Sequence, residues 1–233
     1  MPSLYSRDFI ITLIIVLIPL CLALNADSYG QRIMTLSGIY AIAAMGYHLI
    51  FGRLGALSLA QGCFFGLGAY SAGLIGVHFE LSFLTCLLFA VIFTALVALI
   101  IALPVLRLES HYFALATLGI AQVALLIAIN WTEVTGGANG TYGIPQLDLF
   151  GMELSSSNHV LIFVWVILVI IVSLTFWIMR APFNYQVTLL KDTPEVAASS
   201  GIDIGRWRLT FFIMSAIFGA TAGALQAYTI GVV

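Results

Sequence analysis

Long apolar runs, separated from one another by charged residues, are the main pattern of this sequence. Seven intervals contain no Asp, Glu, Lys or Arg, and they are residues 9–25, 33–52, 54–79, 81–106, 110–132, 154–179 and 209–233. A helix needs about 20 apolar residues to cross the hydrocarbon core of a bilayer. The intervals lack the alternation of polar and apolar residues that marks the strands of a membrane β-barrel. The pattern therefore predicts an all-α fold, a polytopic transmembrane helical bundle with about seven spans.

Composition supports a membrane location and excludes several other classes of protein. Only 8% of the 233 residues are charged and 62% are hydrophobic, against roughly 25% and 45–50% in a soluble domain. The net charge is −2 and the basic residues form no cluster, so we expect no binding to nucleic acid. The expected contact of this chain is with membrane lipid. The three cysteines lie singly within apolar runs, which predicts packing rather than metal binding.

The distribution of Lys and Arg predicts the orientation. If the first interval is a retained helix rather than a cleaved signal peptide, seven of the eight basic residues lie on the N-terminal side. The acidic residues divide five and five, so only Lys and Arg are asymmetric, as the positive-inside rule requires. We therefore predict one membrane domain over residues 1–233 with a cytoplasmic N-terminus. Residues 133–158 form an extracytoplasmic loop, whose glycines predict turns with positive φ, and residues 180–208 form a cytoplasmic loop.

Small residues recur every three or four positions in the third interval. They are Gly55, Ser58, Gly62, Gly66, Ala69, Gly73 and Gly76. On a continuous helix this spacing places them on one face, where small side chains let another helix approach closely. The last interval repeats the pattern with Ser215, Gly219 and Gly223. We expect both stripes to pack against other helices.

Polar side chains within the spans are few. Gln61 and Gln122 could line a route for a polar solute, or could form hydrogen bonds between helices, which is the commoner role. No charged residue lies in the middle of an interval, and this argues against a proton-coupled carrier. Motifs of nucleotide, zinc and serine-hydrolase sites are absent, so we expect no catalytic residue, no metal and no cofactor in this chain.

A short helix is predicted within the cytoplasmic loop. Thr193 suits the N-cap, Pro194 the first helical position, and Glu195 the positive end of the helix dipole. Gly201 is placed to end the helix in the left-handed conformation, and Asp203 can cap the helix that follows. The residues assigned to this feature are Thr193, Pro194, Glu195, Val196, Ala197, Ala198 and Gly201.

This loop resembles that of the permease subunits of bacterial ABC importers, which carries Glu-Ala-Ala-x-x-x-Gly. Glu195, Ala197 and Gly201 fit that spacing, and Val196 replaces the first alanine. Other stretches resemble the branched-chain amino-acid (LivM-type) permease family, which includes urea permeases. In chain order these stretches are residues 55–70, 111–118, 135–140, 201–216 and 222–225. The resemblance extends over about residues 30 to 233.

The resemblance implies a permease subunit of an ATP-driven importer in the bacterial inner membrane, and not an enzyme. It implies three kinds of partner: a second homologous permease, two cytoplasmic ATP-binding subunits and a periplasmic substrate-binding protein. The predicted short helix would then be the contact with an ATP-binding subunit, which hydrolyses the ATP. Members of the family continue with further helices beyond the position of Val233, so we expect a C-terminally truncated chain.

Two other functions stay open at this point. An ion-coupled secondary transporter would need a titratable residue within a span or a broken-helix ion site, and the glycine-rich third interval could be such a break. A membrane-embedded enzyme would need catalytic groups at a cavity, for which Glu109 and His111 are the only candidates. Branched-chain amino acids, other amino acids, short amides and urea all stay open as substrates, because specificity in such importers resides largely in the binding protein.

Overall fold

The computed structural model describes residues 2–24, 26–108, 110–149, 152–153, 156–179 and 183–233. Within these ranges the helices are α1 (Pro2–Leu24), α2 (Ser28–His48), α3 (Gln61–Phe79), α4 (Phe83–Val105), α5 (Ser110–Asn130), α6 (Thr132–Thr135), α7 (Ser157–Ile178), α8 (Phe183–Asp192), α9 (Pro194–Ser199) and α10 (Ile204–Ile230). A π-helical turn, Leu49–Arg53, extends α2, and a 3₁₀ turn, Gly137–Asn139, follows α6. Strands β1 (Asp148–Leu149) and β2 (Met152–Glu153) form a short antiparallel hairpin.

The structure contains six helices that could span a membrane among the described residues, close to the predicted number of about seven. In the described part of the chain, α2 with its π turn, α3, α4, α5, α7 and α10 are long and apolar enough to cross a membrane. Helix α1 has 23 residues, of which Ile11–Leu24 are an apolar segment. The predicted all-α membrane bundle is confirmed, and the two short strands lie in a loop.

Helix α10 occupies the centre of the bundle. In its most apolar stretch 67% of the residues are buried, whereas the corresponding value for α5 is 11%. It packs against α2, α3 and α4, and aromatic contacts such as the edge-to-face pair of Phe64 and Phe212, with ring centroids 5.4 Å apart, fill the space between them. Small side chains along α10 allow three helices to approach it at once, because dispersion contacts in a membrane require close backbones.

Glycines set the closest approach between α3 and α10. A Cβ atom added to Gly223 would overlap the carbonyl oxygen of Phe65 and lie 2.9 Å from the backbone nitrogen of Ala69. One added to Gly68 would overlap the backbone of Ala220. A Cβ atom on Gly219 would lie 3.0 Å from that of Phe64. The small residues of the last interval therefore pack against α3.

The third interval is not one continuous helix, and the predicted single stripe of small residues is wrong. Residues 55–59 have no regular secondary structure and α3 begins only at Gln61. Gly55, with a φ of +68°, and Ser58 therefore precede the helix. The irregular segment is held on α5, because the backbone nitrogen of Leu59 donates a 3.0 Å hydrogen bond to Oγ1 of Thr117.

The members of the stripe that do lie on α3 also have different surroundings. Cβ atoms added to Gly62 or Gly66 would meet no atom within 4 Å. Ala69, Gly73 and Gly76 are buried, and Gly76 is where the Tyr228 hydroxyl of α10 approaches the α3 backbone. Only the second half of the predicted stripe is a packing surface within this chain.

The loop between α5 and α7 contains the predicted turns. Gly136, Gly140 and Gly143 have φ values of +77°, +75° and +82°, in the region that favours glycine. The loop also ties separate helices together, because Oδ1 of Asp148 accepts a 2.7 Å hydrogen bond from the backbone nitrogen of Phe83, at the start of α4.

Candidate functional site

Helix α9 lies at the position that the sequence predicts for a short helix. Its N-cap residue is Thr193, with φ −143° and ψ 74°, and Pro194 occupies the first turn. The Thr193 side chain does not cap the helix and instead donates to the carbonyl oxygen of Leu189 at 3.5 Å. The start of α9 is therefore set by the preceding turn and by proline rather than by a capping hydroxyl.

The end of α9 depends on Gly201. This residue has a φ of +76°, and its backbone nitrogen donates to the carbonyl oxygen of Ala198 at 3.1 Å. The backbone nitrogen of the next residue, Ile202, donates to the carbonyl oxygen of Ala197 at 3.1 Å, which satisfies a further carbonyl at the helix end. A Cβ atom on Gly201 would meet no atom within 4 Å, so backbone conformation and not space requires glycine here.

One face of α9 is anchored and the rest is exposed. Ala197 is completely buried, and α9 packs against α8 and α10. Glu195, Ala198 and Ser199 are exposed, and Val196 is 49% exposed. The helix therefore presents a carboxylate and a small apolar side chain at the surface outside the spans, while its neighbours hold its backbone in place.

Neighbouring contacts connect this loop to the spans. Asp203 caps α10, because its Oδ1 accepts a 3.1 Å hydrogen bond from the Arg206 backbone nitrogen, as predicted. Phe183 of α8 packs against Trp207 of α10, with ring centroids 5.7 Å apart. Lys191, at the end of α8, donates from Nζ to the carbonyl oxygen of Gly52 at 3.0 Å. Helix α8, against which α9 packs, is thus joined both to α10 and to the π turn of α2.

The two amides considered for a solute pathway have separate locations. Nε2 of Gln61 donates to the carbonyl oxygens of Ala43 at 3.0 Å and Ser215 at 3.4 Å, and its Oε1 accepts from Ser215 Oγ at 2.8 Å. Gln61, the first residue of α3, therefore links α3 to α2 and to α10 by hydrogen bonds. Gln122 lies on the exposed side of α5, and neither amide lines any of the three cavities considered below.

Three of the cavities on the described part of the chain have volumes of about 300, 660 and 420 Å³. The cavity of 660 Å³ includes Arg32, Tyr228 and Ile144, near the loop between α5 and α7. The cavity of 420 Å³ is lined by Glu80 and Asp148, among others. The cavity of 300 Å³ includes Arg107 and Arg208, near the start of α10. Sequence reasoning missed these sites, since each combines residues from several elements.

The sequence offers two candidates for a catalytic group, Glu109 and His111. Glu109 lies outside the described residues, and His111 is exposed on α5. Among the described residues, no group of three or more His, Cys, Asp or Glu side chains could hold a metal ion.

Comparison with known proteins supplies the family. The sequence model of the family described as "Branched-chain amino acid transport system / permease component" matches residues 29–233. The proteins named "High-affinity branched-chain amino acid transport system permease protein LivM" of Salmonella typhimurium and Escherichia coli are each 32% identical over 218 residues. Each alignment covers 84% of this chain and 51% of the relative.

The chain thus spans about half the length of the curated relatives it matches. No solved structure matches the chain. The family match covers all the long helices from α2 to α10 and includes the α9 loop. A family model that matches this much of the sequence, together with relatives at 32% identity, establishes that the chain belongs to the permease-component family of branched-chain amino acid transport systems.

Proposed function

We propose that this chain forms part of the membrane pore of an ATP-driven importer for branched-chain amino acids. The observation that carries the proposal is α9, a short helix outside the spans whose backbone is held by α8, α10 and Gly201 while Glu195 and Val196 face outward. The family match and the names of the two relatives supply the transported class. Because the chain contains no nucleotide-binding motif, the energy for transport comes from partner subunits.

We infer the partners from the family resemblance. A second homologous permease completes the pore, two cytoplasmic ATP-binding subunits each contact a permease, and a periplasmic substrate-binding protein delivers the amino acid. In this assembly α9 contacts an ATP-binding subunit, so the N-terminus lies in the cytoplasm. The membrane is then the bacterial inner membrane. The charge distribution supports this orientation, with seven of eight basic residues on the N-terminal side.

An ion-coupled carrier is the second candidate, and one observation favours it. The irregular residues 55–59 break the third span, as in carriers that bind ions at broken helices. However, the middle of every span lacks acidic residues. A break without a carboxylate is a poor cation site.

Substitutions in α9 test the proposed function in the assembled importer that contains this chain. Gly201→Val forces a β-branched residue into a φ of +76°, at a cost of roughly 1–2 kcal/mol, and Glu195→Lys places a positive charge at the positive end of the helix dipole. We expect either change to abolish ATP-dependent uptake. Gly205→Ala is the matched control, because Gly205 lies in α10 and a Cβ atom there would meet only Asp203 Oδ1, at 3.4 Å.

Two further measurements define the defect. Copurification of the ATP-binding subunit, or the stimulation of its hydrolysis by substrate, should be lost with uptake, whereas amino-acid capture by the binding protein should stay unchanged. Normal uptake by both α9 variants, with the ATP-binding subunit still attached, would contradict the assignment of α9. Uptake driven by an ion gradient without ATP would favour the carrier.

A further inference from the structure

The cavity of about 300 Å³ has a polar mouth and an apolar floor. Arg107, in the turn after α4, and Arg208, in the second turn of α10, contribute guanidinium groups from two different elements. Ile50, Phe113 and Phe212 line the same cavity and are almost completely buried. The volume lies at the lower end of the range for small-molecule sites, about 300–1,000 Å³.

Neither arginine of this cavity forms an ion pair with an acidic side chain among the residues that the structure describes, which do not include Glu109. No carboxylate belongs to the described residues that line the cavity. The nearby Arg206 differs, because its Nε lies 2.9 Å from Asp203 Oδ2 and its side chain is 87% exposed. Two guanidinium groups facing one concave site favour an anion that several N–H donors can bind together.

The order of charge and apolar surface matches that of a lipid. Phe212 follows Arg208 by four residues on the same helical face, about 6 Å deeper along α10. It packs against Phe113 with ring centroids 6.3 Å apart. On α4 the exposed Leu103 lies one turn before Arg107, so apolar surface continues from the cavity along the outside of the bundle.

The cavity also lies at the level of a lipid headgroup. Arg107 follows α4 by two residues, and Arg208 lies within the first turns of α10, so both are at the ends of spanning helices. Basic pockets between helices at this depth bind anionic lipid headgroups. A free anion would contact the arginines alone, whereas a phospholipid would also place its acyl chains on the exposed apolar surface of α4 at Leu103.

We propose that this cavity binds an anionic phospholipid, with its phosphate between Arg107 and Arg208 and its acyl chains along α4. The bound lipid bridges the turn between α4 and α5 to α10, next to residues 54–56, where the third span is broken. The site does not depend on the proposed importer function. Its assignment to the inner leaflet rests on the proposed orientation.

The test uses the protein purified in mild detergent, with phosphatidylglycerol as the probe and phosphatidylcholine as the uncharged comparison. Native mass spectrometry measures the lipid retained, and the shift in unfolding temperature with lipid concentration measures apparent affinity. We expect Arg107→Gln and Arg208→Gln each to weaken phosphatidylglycerol binding roughly five-fold, as about 1 kcal/mol per basic residue implies. Arg206→Gln, the matched control, should leave binding unchanged.

Four other results would each contradict the proposed lipid site, and they can be told apart. Equal weakening in all three variants would indicate general attraction to basic residues and would overturn the site. Displacement of the lipid by millimolar inorganic phosphate would identify a free-anion site instead. Loss of an ATP-binding subunit from the two variants with lipid retention unchanged would identify a protein contact. If either variant fails to fold, the comparison of the two lipids on the unmodified protein decides. Equal stabilisation by phosphatidylglycerol and by phosphatidylcholine would overturn the proposal.

Discussion

Gln61 makes three hydrogen bonds inside the bundle. Its amide donates to backbone oxygens of α2 and α10 and accepts from Ser215. Gly46 leaves the room for it, because a Cβ atom there would lie 2.5 Å from Gln61 Nε2. A primary amide in an apolar medium costs free energy unless its donors and acceptor are bonded. Gln61 therefore fixes the point at which α3 begins.

Replacing Ser215 by alanine should weaken this connection without emptying the site. The change removes the 2.8 Å bond to Gln61 Oε1 and leaves that oxygen buried without its donor. We expect the free energy of unfolding to fall by about 1 kcal/mol, within the range for hydrogen bonds between membrane helices. Titration with sodium dodecyl sulfate in mixed micelles, followed by circular dichroism, measures it.

Ser37→Ala provides the control for this measurement. Ser37 is exposed, and its hydroxyl donates to the Ile33 carbonyl oxygen of its own helix at 2.9 Å, so its removal affects no contact between helices. Equal effects of the two substitutions would show that Gln61 does not join helices to a measurable extent.

At the scale of elements, α3 and α10 form the closest helix pair of the bundle. The glycines at this contact are Gly68, Gly219 and Gly223, and an added Cβ atom at Gly68 or Gly223 would overlap backbone of the other helix. Gly62 and Gly66 of the same α3 face open space. Two glycines only two positions apart on one helix therefore have opposite packing roles.

Alanine at these two positions distinguishes the roles. Gly68→Ala should destabilise the protein by about 1–3 kcal/mol, because an atom is forced into a filled interface. Gly66→Ala should be neutral or stabilising by up to about 1 kcal/mol, because alanine is the better helix former. Detergent-unfolding midpoints measure both, and a loss at Gly66 equal to that at Gly68 would mean that another surface covers Gly66.

At the scale of the whole molecule, the orientation in the membrane can be tested directly. Asn139 lies in the loop between α5 and α7, Ser199 lies at the end of α9, and both are exposed. After replacement of the three native cysteines, a cysteine at Asn139 should react with a membrane-impermeant thiol reagent in cells whose outer barrier admits it. A cysteine at Ser199 should react only after lysis, and the reverse pattern would overturn the proposed orientation.

Much of this architecture could be predicted from the sequence because it depends on local chemistry. The free energy of placing a charged residue in lipid limits each span to a charge-free interval, so counting intervals predicts the bundle. The positive φ values of Gly136 and Gly201 follow in the same way, because a turn or helix end needs them within a few residues.

The break in the third span and the buried face of α3 could not be predicted in this way. Small residues at helical spacing continue through residues 55–76, and nothing local distinguishes the irregular residues 55–59 from the helix. The break is held by a bond from Leu59 to Thr117, 58 positions away, and the start of α3 by bonds to Ser215, 154 positions away. The basic cavity likewise combines α4, α5 and α10. Only the tertiary structure brings these partners within 3 to 4 Å of one another, the distance at which hydrogen bonding and packing act.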